Sequence, residues 1–223
     1  MLPIFRYKIL LMVDCPLCDA SDITPVPTND PRKYLTCTKC KLIFVSKEFH
    51  PEPHVAEERY RKHQNSSHDA GYVSFLMQAV TPALQYINAD MTGLDYGCGP
   101  TPTLSLLLED HNINCRNYDP IFFPEIAHGN YNFIFSTECF EHFISPKKDI
   151  SRIISLLNPG GILIVMTDAW SSMDDLDKWY YIRDFTHVSF YHRQTFDYIC
   201  KAFNLSMLFS NERRVFILKK NPI

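Results

Sequence analysis

The sequence predicts an α/β protein in which a doubly wound, mostly parallel β-sheet follows a small cysteine-bearing ribbon. Three observations lead to this fold class. Apolar strand-like runs alternate with segments of helical periodicity, a glycine-containing turn joins one strand directly to a helix, and two C-x-x-C pairs stand near the N-terminus. With 223 residues, 46% of them hydrophobic, the chain is long enough for one ordinary domain and a small appendage.

The cysteine pairs come first along the chain, and they are Cys15 with Cys18 and Cys37 with Cys40. Each pair sets two thiolates on one side of a tight turn, so that together they form a tetrahedral four-sulfur site suited to structural Zn²⁺. A redox pair is the alternative, but it would not need the second pair. We therefore predict a zinc ribbon with strands at 33–36 and 42–45, and we expect loss of one cysteine to unfold residues 15–48 alone.

Charge and hydropathy restrict the classes of partner. The net charge is −3 and the ribbon carries nearly equal numbers of cations and acids, so nucleic acid stays open as a partner without support from charge. No apolar run approaches the roughly 20 residues of a membrane span, and Ile9–Val13 is expected to be a short strand or ordered leader because it is too short for a secretory signal. Cysteine spacing typical of metal binding favours a cytoplasmic location.

Three regions are expected along the chain: a ribbon with its leader at 1–50, a linker with a helix at 51–70, and the main domain at 71–223. Pro51-Glu52-Pro53 marks the linker. Beyond it, apolar residues recur at helical spacing up to Ile87 and predict a helix that covers the sheet. We expect this helix to be kinked or split at Thr81-Pro82.

The stretch Met91–Pro100 organises the main domain. An apolar strand ends in Asp95, runs into a turn with Gly97 and Gly99, and is followed by a predicted helix at 102–109. Glycine accepts backbone angles that are closed to other residues and lets a ligand approach the main chain. Asp95 stands at the carboxyl end of the strand, where open α/β sheets bind their ligands.

The next strand, predicted at Asn114–Tyr118, ends in Asp119-Pro120. In dinucleotide-binding folds an acid at this place accepts hydrogen bonds from ribose hydroxyls. Only Ile121–Phe123 and Glu125–His128 then separate it from the strand that starts at Tyr131, which leaves little room for a further helix and strand. Contacts to a nucleotide base are therefore the least defined part of the predicted site.

The remaining elements follow in a regular order. The strand from Tyr131 leads into the run Glu138-Cys139-Phe140-Glu141-His142, then a helix, a turn at Gly160-Gly161 and another apolar strand. A polar insertion at 168–178 with nearby Trp and Tyr residues predicts either a flap over the site or a loop packed on the core. A helix at 194–203 and a hairpin of strands 205–210 and 215–219 end the domain.

This order, with the glycine turn and Asp119-Pro120, resembles class I S-adenosylmethionine (SAM) methyltransferases over about residues 71–220, although Thr101 stands where a third glycine often occurs. With the ribbon in front and the segment Tyr181–Phe190 behind, the chain is similar to a bacterial-type group of such enzymes that carry an N-terminal zinc ribbon. The resemblance implies a Rossmann-like fold with SAM as cofactor. It also implies a cofactor-binding set: Asp95, Tyr96, Gly97, Gly99, Asp119, Pro120, Thr137 and Glu138.

The E-x-x-E-H run yields the catalytic candidates. On a helical turn Glu138, Glu141 and His142 would share one face, and two close carboxylates need a proton or a cation between them. The run resembles that of small-RNA 3′-end 2′-O-methyltransferases, in which such residues and a later histidine bind a metal, and that of ubiquinone-pathway O-methyltransferases. His187 occupies a similar late position, so these four residues are a candidate site for Mg²⁺ or another divalent ion.

An alternative interpretation assigns this run to helix capping or to the amino-acid end of SAM, with His142 or His187 as general base. The function expected is methyl transfer to an unidentified acceptor, an oxygen of a small molecule or of RNA. The absence of an Asn/Asp-Pro-Pro-aromatic motif after Phe135 disfavours exocyclic or amide nitrogens, such as adenine N6 or glutamine, as acceptors. Two alternatives stay open: a non-catalytic ribbon with a SAM-binding module, and an RNA-modifying enzyme that docks through its ribbon.

Overall fold

A computed structural model describes residues 13–62, 65–125 and 130–222. The predicted leader up to Met12, and residues 126–128 of the short connection before Tyr131, lie outside the described residues. The strands are β1 Ile23–Val26, β2 Tyr34–Cys37, β3 Ile43–Val45, β4 Thr92–Tyr96, β5 Asn114–Tyr118, β6 Tyr131–Thr137, β7 Leu157–Met166, β8 Ser189–Phe190, β9 Leu205–Ser210 and β10 Val215–Lys220. The α-helices are α1 Pro53–Arg61, α2 Ala70–Ala83, α3 Thr103–Glu109, α4 Pro146–Ser155 and α5 Arg193–Ala202.

The main sheet has six strands in the order β5-β4-β6-β7-β10-β9. The first four are parallel, whereas β10 runs antiparallel to both β7 and β9. Apolar residues of α2 and α3 cover one face of this sheet, and residues of α4 and α5 cover the other. The predicted fold class, a doubly wound and mostly parallel sheet with an antiparallel hairpin at one end, is confirmed.

The residues around α2 explain where this helix begins. The Asp69 side chain caps α2 by accepting hydrogen bonds from the amides of Gly71 and Tyr72. This helix continues through Pro82 to its last residue, so the predicted split at Thr81-Pro82 is wrong; proline in the final turn removes little from a helix that is about to end. The predicted turn at Gly160-Gly161 is also wrong as a boundary, because both glycines lie within β7, where Gly160 has a φ of 78°.

The ribbon is joined to the main domain more closely than the sequence indicated. Its sheet has the order β1-β2-β3-β8, and the fourth strand comes from residues 189–190, far beyond the ribbon's own segment. The four cysteines, Leu17 and Leu42 belong to the same buried cluster as apolar residues of α4 and α5. The ribbon therefore packs on the α4–α5 face of the main sheet as part of one core.

Among the described helices, none combines the length and apolar character needed to cross a membrane.

Candidate functional site

A cavity of about 1120 Å³ lies where β4, β5 and β6 end at their carboxyl termini. Its wall includes all eight residues that the sequence assigned to cofactor binding, namely Asp95, Tyr96, Gly97, Gly99, Asp119, Pro120, Thr137 and Glu138. His142 and His187 also line it, whereas Glu141 does not and is fully buried behind them. Carboxyl ends of parallel strands are the expected ligand-binding edge of such a sheet.

The glycine turn shapes the floor of the cavity. Gly97 and Gly99 have φ angles of 84° and 67°, in the left-handed region that favours glycine. The amides of Gly97 and Cys98 donate to the carbonyl of Tyr118 at 2.8 and 3.2 Å, which ties the turn to the end of β5. A Cβ on Gly97 would lie 2.5 Å from the Cys139 sulfur, whereas one on Gly99 would meet nothing within 4 Å.

Asp119 connects the second strand to the glycine turn. Its Oδ2 accepts a hydrogen bond from the Gly99 amide at 3.1 Å, and its Oδ1 accepts from the amides of Ile121 and Phe122 at 2.9 and 3.1 Å. The carboxylate is 8% exposed and borders the cavity. Oδ2 therefore keeps acceptor capacity for a hydroxyl placed above the glycine turn.

Two carboxyl groups on the cavity wall, one buried and one half-buried, each have a buried oxygen without a hydrogen-bond partner among the described residues. These atoms are Asp95 Oδ1 and Glu138 Oε1. Burial, and then the charge of Asp119, raise the pKa of Asp95 to about 7. Burial, followed by the charge of Glu141, holds the pKa of Glu138 well above its usual range. A cationic ligand with N–H donors would satisfy both oxygens and favour their charged forms.

The E-x-x-E-H run does not form the predicted helical face. Glu138 has a left-handed φ of 49°, and only the following Phe140–His142 form a single 3₁₀ turn. Glu138 therefore does not share a helical turn with Glu141 and His142, and its Oε2 accepts a long hydrogen bond from the Tyr181 hydroxyl at 3.3 Å. The predicted shared face of Glu138, Glu141 and His142 is wrong because Glu138, directly after β6, has a left-handed backbone conformation and lies outside the helical turn.

Three of the four residues predicted to bind a divalent ion nevertheless lie close together. One possible metal-ligand atom from each of Glu141, His142 and His187 lies within 4.8 Å of the others. Glu141 Oε2 accepts from the Thr167 hydroxyl at 2.8 Å, and Glu141 Oε1 has no hydrogen-bond partner among the described residues. Two imidazoles and one carboxylate are typical ligands of divalent transition-metal ions. Glu138 lies outside this group.

In both histidines Nε2 is the ring nitrogen that can accept a proton or bind a metal ion. His187 Nδ1 lies 2.7 Å from the Tyr181 carbonyl and His142 Nδ1 lies 3.1 Å from the Thr186 carbonyl. Carbonyl oxygens only accept, so each Nδ1 donates; His142 Nδ1 also lies 3.3 Å from the Tyr60 hydroxyl. In the neutral form of either ring the lone pair is then on Nε2. The ring centroids are 4.9 Å apart. Burial lowers the pKa of His187 to about 4, and this imidazole is therefore neutral at pH 7.

Sequence reasoning missed the residues that close the cavity opposite the glycine turn. The helix assigned to the linker, α1, contributes Arg59 and Tyr60, and the segment after Tyr181 contributes Asp184 and Phe185. Arg59 Nη2 forms an ion pair with Asp184 Oδ2 at 2.8 Å, which joins the two walls. Their contact was not predictable from the sequence, because the two segments meet only in the folded chain.

The tryptophan-containing insertion packs on the ribbon. Trp170 is 8% exposed and its Nε1 donates to the Lys41 carbonyl at 3.2 Å, while Trp179 Nε1 donates to Asp168 Oδ2 at 3.0 Å. Of the predicted aromatic group, only Tyr180 and Tyr181 line the cavity. The packed-loop interpretation is therefore confirmed for both tryptophans.

The cysteines gather as the ribbon prediction requires. One sulfur from each of Cys15, Cys18, Cys37 and Cys40 lies within 4.8 Å of the others, and all four side chains are buried. The Cys15–Cys40 and Cys18–Cys37 sulfur distances are 3.5 and 3.4 Å. Four buried thiols at these distances fit a tetrahedral Zn²⁺, for which sulfur is a preferred ligand.

Comparison with known proteins identifies relatives for most of the chain. A family model described as a methyltransferase domain matches residues 63–208. The fold is similar to that of an O-methyltransferase family protein from Burkholderia thailandensis, with 12% identity over 74% of this chain and 62% of that one, and a TM-score of 0.52. It is also similar to the 1,6-didemethyltoxoflavin-N1-methyltransferase of the same organism, whose structure contains S-adenosylhomocysteine, with 14% identity over 89% and 99% of the chains and a TM-score of 0.51. A comparison with curated proteins gives no match.

Proposed function

Because this chain belongs to the methyltransferase domain family, we propose that it transfers a methyl group from SAM to an acceptor bound in the same cavity. One observation carries the proposal. Asp95 and Glu138 each bring one buried carboxyl oxygen without a hydrogen-bond partner among the described residues to a cavity whose floor is an open glycine turn. The α-ammonium group of SAM is a cationic donor of the kind that these oxygens lack.

The other cofactor residues have separate tasks in this proposal. Asp119 Oδ2 accepts a hydrogen bond from a ribose hydroxyl, while its Oδ1 keeps the following loop in place. Gly99 leaves open the space that the nucleoside crosses, since a side chain there would project into the cavity. When bound, SAM supplies an electrophilic methyl group on a sulfonium. The protein aligns the acceptor with it and keeps water away.

We place the acceptor on the histidine side of the cavity. At about 1120 Å³ the cavity is larger than the roughly 300–1000 Å³ of an ordinary ligand site, which leaves space beside a cofactor. We propose an oxygen acceptor with His142 as general base. His142 Nε2 accepts the hydroxyl proton as the acceptor oxygen bonds to the methyl carbon and the carbon–sulfur bond to the cofactor breaks. The contact of His142 Nδ1 with the Thr186 carbonyl makes Nε2 the accepting nitrogen of the neutral ring. His187 remains neutral beside it and orients the hydroxyl.

A divalent ion at Glu141, His142 and His187 is the alternative to base catalysis by His142, because both would use the same imidazole lone pair. The partnerless Glu141 Oε1 and two imidazole lone pairs support it, and this nitrogen-rich set favours Mn²⁺, Fe²⁺ or Zn²⁺ over Mg²⁺. Such an ion would lower the pKa of an acceptor hydroxyl. The ion predicts that EDTA abolishes turnover with the ribbon zinc retained and that Mn²⁺ restores it. Full turnover in EDTA would rule out the ion and leave His142 as general base.

Calorimetric titration with SAM tests the cofactor, and incubation with methyl-labelled SAM and fractionated cell extract tests the transfer. The extract is scored separately for label in RNA, protein and small molecules. Label in small molecules is the expected result. Label confined to RNA would favour the alternative in which the ribbon docks RNA. Absence of SAM binding would favour a non-catalytic module and contradict the proposal.

A further inference from the structure

Among the described residues the ribbon contributes no side chain to the cavity wall, yet one of its residues reaches behind that wall. The Arg32 side chain is only 9% exposed. Its guanidinium donates to the carbonyls of Ile182, Asp184, Phe185 and His187, the last three at 3.3, 3.4 and 3.1 Å. Five N–H donors in a rigid planar fork make such a contact to several carbonyls particular to arginine.

The arginine is itself held from the ribbon side. Arg32 Nε lies 3.0 Å from Asp30 Oδ1, and the Arg32 amide donates to the same oxygen at 2.9 Å. The hydrogen bonds and charge of Arg32 lower the pKa of Asp30 against the opposing effect of burial. The buried guanidinium therefore keeps a carboxylate partner while its remaining donors face the segment Ile182–His187.

A second connection joins the ribbon to the same segment. The Val45 amide in β3 donates to the Val188 carbonyl at 2.9 Å, and the Val188 amide donates to the Glu141 carbonyl at 2.8 Å. The ribbon therefore holds the backbone at His187 twice: Arg32 binds the His187 carbonyl, and Val45 of β3 binds the carbonyl of the next residue, Val188. Its imidazole faces the cavity, and its backbone is fixed from the opposite side.

We propose that the ribbon is a structural part of the acceptor wall and that Arg32 is the positioning residue through which it fixes His187. The inference rests on the proposed function for its chemical meaning, since it assigns the ribbon to the methyl-acceptor half of the cavity. Arg32 touches neither cofactor nor acceptor. It acts through the backbone of Ile182–His187, and the zinc acts through the ribbon that carries Arg32.

The test compares Arg32→Gln, Arg32→Lys and the control Lys33→Gln in the full zinc-loaded chain. Lys33 is the neighbouring ribbon cation, and its exposed ammonium group pairs with Glu48 at 3.3 Å and lies over the Phe49 ring. The readouts are the ¹³Cε1 resonance of His187 in histidine-labelled protein, assigned with His187→Gln, and amide hydrogen exchange over 182–190. Zinc content, SAM affinity and unfolding temperature are measured in parallel.

We expect Arg32→Gln to retain zinc and to bind SAM within about twofold of the wild type. The His187 resonance, which the nearby Tyr181 and His142 rings displace, should move toward that of a free histidine, and amides 184–188 should exchange at least tenfold faster. Arg32→Lys should lie between Arg32→Gln and the wild type in both measurements, because lysine keeps the positive charge but lacks the several donors of the planar guanidinium. If Arg32→Gln does not fold, Arg32→Lys carries the comparison.

The proposal is overturned if a folded, zinc-loaded Arg32 variant keeps the His187 resonance and the exchange rates of the Lys33→Gln control. Its failure is separable from failure of the proposed function, which would appear as absent SAM binding in the wild type. In the extract fraction that the wild type labels, Arg32→Gln should reduce the rate at least tenfold with SAM affinity retained. An equal loss in Lys33→Gln would contradict a specific positioning role.

Discussion

Replacing Gly99 by alanine separates cofactor binding from folding. No atom lies within 4 Å of a Cβ built on Gly99, so a methyl group there meets the cavity rather than the protein. The φ of 67° costs a non-glycine residue about 1–2 kcal/mol. At about 2–4 °C per kcal/mol for a chain of this size, the unfolding temperature should fall by about 2–8 °C. SAM affinity should fall more than tenfold, because the methyl group occupies the proposed nucleoside path.

Gly97→Ala is the matched control for backbone strain. Its φ of 84° imposes the same cost, but here the Cβ would lie 2.5 Å from the Cys139 sulfur and must displace it. Overpacking of this kind adds about 1–3 kcal/mol, so Gly97→Ala should be less stable than Gly99→Ala, and Cys139→Ala in the same chain should recover part of the loss.

Thermal unfolding and calorimetric titration with SAM are the two assays for this pair. If Gly99→Ala binds SAM as the wild type does, the cofactor does not cross the open side of the glycine turn. If Gly97→Ala is as stable as Gly99→Ala, the packing against Cys139 is not what the distances indicate.

Three further predictions concern the cofactor acids and the ribbon. Asp119→Ala should weaken SAM binding by about 1–3 kcal/mol because ribose donors lose their acceptor; unchanged affinity by calorimetry would remove Asp119 from the site. The pKa of Asp95, raised to about 7 in the folded chain from about 3.9 unfolded, gives a stabilisation that is complete below pH 4 and lost as pH rises to 7. In denaturation experiments, the free energy of unfolding of the wild type should therefore decline over that pH range relative to that of Asp95→Asn. In calorimetric titrations, SAM affinity should rise with pH up to about 7 and then become constant. Cys37→Ser should lose the zinc and lower the unfolding temperature of the whole chain, because the ribbon shares its core with α4 and α5; a sheet that melts as in the wild type would restore the sequence-based expectation of a loss confined to residues 15–48.

The sequence was sufficient where the signal is local. β5 and β9 have the predicted bounds, since each is a short strand-forming run between turn residues. The glycine turn and Asp119 were recognisable because an open α/β sheet binds ligands at fixed places relative to its strands. The cysteine cluster was predictable because metal ligation requires a particular spacing.

The sequence was insufficient where a residue's conformation depends on distant partners. β8 has only two residues, and its strand character comes from pairing with β3. Glu138 adopts a positive φ that no propensity indicates for glutamate, and this separates it from Glu141. Arg32 resembles any ribbon cation in sequence, and only the tertiary structure brings its guanidinium to Ile182–His187.

The pairing of β3 with β8 also bears on how the chain is made. During synthesis the N-terminal segment leaves the ribosome first, and the four cysteines can collect their metal as soon as Cys40 has emerged. β3 must then wait for residues 189–190, which lie far along the chain from it. Contacts so distant in sequence form late. The nascent ribbon therefore carries an unpaired strand edge until these residues have been synthesised, and its completion coincides with the arrival of His187.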